Sequence, residues 1–139
     1  MTGIRPLILA ACCAAVSVGN AAQAACSLDK VTPGSKVEAP PVRLSYRVVG
    51  GTIKVGQPFT IEVAACIGPG NTPRRIRIDA RMPAHGHGMN YTPTEKKLGP
   101  GYARFEGLVF HMPGHWEISF DVFSDGARKR LLVPIDVKR

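Results

Sequence analysis

The chain has 139 residues, a length that accommodates one domain and excludes a large cofactor-binding enzyme. It is 45% hydrophobic and 20% charged, which excludes both a disordered tail and a membrane bundle. With 15 Gly and 12 Pro it favours short strands and turns over long helices, and its net charge of +8 marks a basic surface.

Residues 1–24 read as a secretory signal. Arg5 supplies the basic start, an apolar run follows from Pro6 to about Val18, and Ala22-Gln23-Ala24 matches an A-x-A cleavage site. That run is too short and Ala-rich for a membrane span. Export into the periplasm or beyond is the expectation, with no transmembrane segment left after processing. Cys12 and Cys13 leave with the signal, so Cys26 and Cys66 remain. An even pair in an exported domain suggests a disulfide. Two other fates stay open: a lipid anchor at Cys26, or metal ligation, although neither cysteine has a ligand at C-x-x-C spacing.

Residues 25–41 read as a Pro-rich N-terminal arm and 42–139 as the folded domain. Val42, Leu44, Tyr46 and Val48 alternate with polar residues, as a half-buried strand does. Gly50-Gly51 is a turn. Phe59, Ile61 and Val63 alternate with the outward Thr60 and Glu62 in a second strand, ending near Cys66, and a loop follows to Asn71. Ile76, Ile78, Ala80 and Met82 alternate with Arg75, Arg77, Asp79 and Arg81 until Pro83 breaks the run. A polar, Gly-rich stretch extends from Ala84 to Gly101. Tyr102 to Phe110 reads as a strand, and Trp116, Ile118, Phe120 and Val122 as another. Asp125-Gly126 is a hairpin turn, and Leu131, Val133 and Ile135 make a last strand with Pro134 pointing outward, as on a free edge. About seven antiparallel strands of this kind predict an all-β, immunoglobulin-like β-sandwich.

The chemistry-bearing side chains cluster. All four histidines (His85, His87, His111 and His115) and the three methionines beyond the signal (Met82, Met89 and Met112) fall between positions 82 and 115. His85, His87 and Met89 are spaced i, i+2, i+4, which places them on one face of an extended chain. Met82 continues the inward parity of its strand and reads as core. Thioether and imidazole donors without neighbouring carboxylates suit copper better than zinc. The candidate ligands are therefore His85, His87, Met89 and His111, with His115 and then Met112 behind them. The competing reading is a metal-free recognition loop for another protein of the cell envelope.

The segments Met82-Pro83-Ala84-His85-Gly86-His87-Gly88-Met89, Gly101-Tyr102 and Phe110-His111-Met112-Pro113-Gly114-His115-Trp116 together resemble the YtkA-like domain family, related to FixH-type periplasmic domains. The resemblance covers roughly residues 42–137. It implies an immunoglobulin-like sandwich outside the cytoplasmic membrane. FixH-type relatives are associated with the assembly of copper-containing oxidases, but this chain has no retained transmembrane helix like theirs.

Catalysis is not expected. None of Ser27, Ser35, Ser45, Ser119 and Ser124 sits in a Gly-x-Ser-x-Gly elbow, and there is no phosphate-cradling loop or haem-attachment motif. The cations at Arg74, Arg75, Arg77, Arg81, Lys96, Lys97 and Arg128–Arg130 would permit nucleic-acid binding, but export argues against it. The expected partner is a periplasmic protein or copper acceptor.

Overall fold

From Arg75 to Met82 the chain alternates exposed and buried residues without a break, Ile76, Ile78, Ala80 and Met82 facing in. The same period of two runs through most of the domain and yields two sheets packed face to face. The computed structural model describes residues 26–138, so the expected signal at 1–24 lies outside the described residues.

The described residues form nine strands: β1 (Ser35–Ala39), β2 (Val42–Val49), β3 (Pro58–Ile67), β4 (Arg75–Met82), β5 (His87–Gly88), β6 (Thr94–Gly99), β7 (Tyr102–Val109), β8 (Gly114–Ser124) and β9 (Ala127–Val137). One sheet has the order β1-β2-β3-β7-β6 and the other β5-β4-β8-β9. Every pairing is antiparallel. The sole helical element among the described residues is a 3-10 turn at Pro83–His85, and none of their helices is long and apolar enough to cross a membrane. Leu44, Ile61, Val63 and Leu108 from the first sheet meet Ile118, Phe120, Val122 and Trp116 from the second, all of them buried.

The all-β sandwich agrees with the sequence reading, with two strands more than the expected seven. β1 lies inside the segment read as a Pro-rich arm, and β6 inside the polar stretch. The residues before β1 also belong to the fold. They cross the outer face of the five-stranded sheet, where Val31 is fully buried and its carbonyl accepts a hydrogen bond from Ser45 Oγ at 3.0 Å. Cys26 is disulfide-bonded to Cys66 of β3 with a Cα–Cα distance of 5.7 Å. With its sulfur engaged there, Cys26 has no thiol left for a lipid or a metal. The residues read as an arm are thus stapled to the sheet.

An ion triad lies on the same outer face, where Arg47 Nη1 donates to Thr32 O of the crossing segment at 3.2 Å. Glu62 points to the outer face of β3 yet is only 1% exposed. Its Oε2 accepts from Arg47 Nε of β2 at 2.8 Å, and its Oε1 from Arg104 Nε of β7 at 3.0 Å. Burial pushes the Glu62 carboxyl up. The hydrogen bonds and charges of Arg104 and Arg47 together outweigh it and hold the carboxyl below the usual glutamate range. On the other sheet Arg130 grips Asp121 across β9 and β8 and lowers its carboxyl likewise, the hydrogen bonds again outweighing burial.

Candidate functional site

The motif Met82–Met89 folds as a tight reversal at one end of the four-stranded sheet. Pro83 opens the 3-10 turn, where its missing N–H costs nothing. Gly86 closes it at φ 65°, a left-handed conformation that favours glycine, and its N–H reaches back to Met82 O at 3.0 Å. The chain then returns along β4 as β5, pairing His87 with Met82 and Gly88 with Arg81. Met89 N donates to Ala80 O at 3.1 Å.

The second motif links β7 to β8 across the same end. Trp116, fully buried, stacks on Phe110 at 4.5 Å and donates its indole N–H to Met112 O at 3.0 Å, fixing the crossing. Gly114 sits at φ 129°, and a Cβ there would stand 2.8 Å from Met82 Cε. The two motifs therefore touch through Met82 and Gly114.

This brings three histidines together. The His85 and His87 ring centroids are 5.7 Å apart, and those of His87 and His111 are 5.2 Å apart. Trp116 backs the pair, edge-on to His111 at 5.4 Å and to His87 at 6.4 Å. His87 Nε2 and His111 Nδ1 are buried and have no hydrogen-bond partner. Buried polar atoms are ordinarily paired, and leaving one unpaired costs about 1–3 kcal/mol. Met89 and Met112 are half-buried against the core, and Met82 is fully buried, as its parity required.

Two features differ from the sequence reading. His85, His87 and Met89 do not share the face of one extended run, because the 3-10 turn and Gly86 intervene; His85 is exposed and His87 half-buried. His115 is not brought to the cluster. On β8 it has the opposite parity from Trp116, and on the outer face its Nδ1 lies 3.0 Å from Asp136 Oδ1.

Among the described residues, no three His, Cys, Asp or Glu side chains are preassembled around a common point. The imidazole spacing nonetheless fits a shared metal. A metal–nitrogen bond near 2.0–2.1 Å puts a metal about 3.2 Å from an imidazole centroid, so two rings on one metal lie about 5.2 Å apart at a tetrahedral angle and about 6.4 Å apart when linear. The separations of 5.2 and 5.7 Å fall in that window. The donor set, imidazole with nearby thioethers, fits copper.

Sequence reasoning missed the backing role of Trp116, which it assigned only to the core, and the buried triad at Glu62. For the triad the outward parity of Glu62 was the only signal, and it pointed to solvent.

No family model matches the chain, and no curated protein matches it. Among solved structures, it is similar to a DUF4426 family protein from Pseudomonas aeruginosa PAO1, with a TM-score of 0.51 and 10% identity over 75% of this chain and 94% of that one. At that identity the likeness shows the fold alone, a small all-β domain.

Proposed function

We propose that this chain is an exported, immunoglobulin-like accessory domain that carries copper on His87 and His111, with His85, Met89 and Met112 completing the donor set. The observation that carries this reading is the pair of buried, unpartnered nitrogens, His87 Nε2 and His111 Nδ1, on rings 5.2 Å apart. The disulfide agrees with an oxidising compartment, and the resemblance to YtkA-like domains points to the same side of the membrane. Thioethers favour Cu(I), whereas imidazoles serve both oxidation states. An exposed His85 on a glycine-hinged turn lets an acceptor protein enter the donor set by ligand exchange, so the role is a carrier's and not a catalyst's.

A metal-free interaction domain is the second reading. It is favoured by the edge-on packing of His87 and His111 against Trp116, which uses both rings as aromatic filler. Titration of residues 25–139 with Cu(I) and Cu(II) separately, against a competing chelator, decides between them. Trp116 is the sole tryptophan, so its fluorescence reports the site directly. One copper bound per chain with quenching, lost in His85→Ala/His87→Ala, supports the carrier. Weak binding equal in both proteins supports the interaction domain.

A further inference from the structure

The two sheets have four borders, and three of them are protected. β1 is short, runs into Pro40-Pro41 and lies beside β9, which carries Pro134 facing solvent. β6 is interrupted by a register shift between Lys97 and Gly99. The fourth border is β4. β5 pairs with it only at Arg81 and Met82, and Met89 adds one bond to Ala80 O. Along Arg75–Asp79, β8 lies on one side, and among the described residues no strand lies on the other.

Ala80 O faces that open side. Because strand geometry repeats every two residues, Ile78 and Ile76 direct their N–H and C=O groups the same way. The Ala80 N–H is already taken by Asp79 Oδ1 at 2.8 Å, so the free backbone is that of Ile76 and Ile78. Both isoleucine side chains are buried, which anchors this edge rigidly. Arg75 and Arg77 flank it, exposed, and neither takes part in an ion pair among the described residues. An open cleft beside it reaches Glu95 and Lys97 of β6 and Tyr102 of β7.

We propose that the open edge Arg75–Asp79 of β4 docks an extended acidic segment of a partner protein by strand addition. Backbone hydrogen bonds to Ile76 and Ile78 supply the pairing, and acidic residues at alternate positions of the segment meet Arg75 and Arg77. Antiparallel pairing of β4 with a second copy through both Ile76 and Ile78 sets Arg77 against Arg77 and Arg75 against Asp79, so a segment acidic opposite both arginines fits this edge better. The docked segment lies end to end with β5 and so arrives beside Met89. None of this depends on a metal.

The test uses metal-free, 15N-labelled residues 25–139 and a synthetic eight-residue peptide alternating Glu and Val. Controls are the Lys–Val counterpart and a Glu–Val peptide N-methylated at alternate residues. The expected result is saturable binding with shifted, exchange-protected amides at Ile76 and Ile78, abolished by N-methylation and absent with Lys–Val. Arg75→Glu/Arg77→Glu, two exposed substitutions, weakens binding about tenfold or more. Four results would overturn the proposal: equal binding of the N-methylated peptide, shifts confined to other strands, no saturable binding, or capture of anionic phospholipid vesicles by these arginines without peptide binding. Histidine variants that lose copper leave the peptide result unchanged, so the two proposals fail separately.

Discussion

Replacing Glu62 with Gln keeps the shape of the side chain and removes its charge. In the native domain the carboxylate is buried and accepts four N–H bonds from two guanidiniums. Removing one partner of a buried ion pair costs about 3–5 kcal/mol. Here the Arg47 and Arg104 side chains are more than a third exposed and regain water, so about 2–3 kcal/mol is expected. For a domain of this size that lowers Tm by about 10 °C. Thermal and urea unfolding, followed by Trp116 fluorescence, measure it. The triple replacement Arg47→Met/Glu62→Leu/Arg104→Met recovers most of the loss, because no uncompensated charge remains. The pH dependence has a fixed sign. The folded Glu62 value lies below its ordinary 4.5, so the unfolded chain takes the proton first. The stabilisation is full above that ordinary value and is lost as pH falls through the depressed folded value. Glu62→Gln flattens this acid limb. An unchanged midpoint and an unchanged acid limb in Glu62→Gln would refute the buried triad.

Two further outcomes follow from the same geometry. The Cys26–Cys66 bridge closes a separation of 40 residues, so Cys26→Ser/Cys66→Ser lowers stability by about 4 kcal/mol in the chain-entropy model; urea unfolding checks this, and intact mass two units below the reduced chain confirms the bridge in exported protein. Gly114→Ala forces a Cβ against Met82 Cε at a φ that favours glycine. It costs about 1–3 kcal/mol and displaces the His111–Pro113 crossing, read as a lower Tm and a shifted Trp116 emission.

The parts of the fold legible in the sequence were those with strict period two. β4 and β8 alternate cleanly because each has one face on the core, and both lie where the pattern placed them. β1 and β6 escaped because they are border strands: Lys36, Glu38, Lys96 and Lys97 are exposed, and the apolar face of β1 is only the short, half-buried pair Val37 and Ala39. Outward parity predicted solvent for Glu62, and the guanidiniums of Arg47 and Arg104, which grip it from the two neighbouring strands, leave no mark in that parity. The site was half legible. Clustering in the sequence singled out His85, His87 and His111, which the fold brings into a row. It also included His115, which strand parity already placed opposite the inward Trp116. The turn at Pro83–Gly86 replaced the extended run that i, i+2, i+4 spacing assumed.

That contrast between His111 and His115 gives the most direct test of the copper reading. The two residues are four positions apart, and one has a buried free nitrogen beside His87 while the other pairs with Asp136 on the outer face. Chelator-competed copper affinity should be compared for the native domain, His111→Ala and His115→Ala, with circular dichroism to show that each is folded. With copper held at His87 and His111, His111→Ala loses tight copper and the quenching of Trp116, while His115→Ala binds as the native domain does. Equal affinity in all three, or loss in His115→Ala alone, would contradict it.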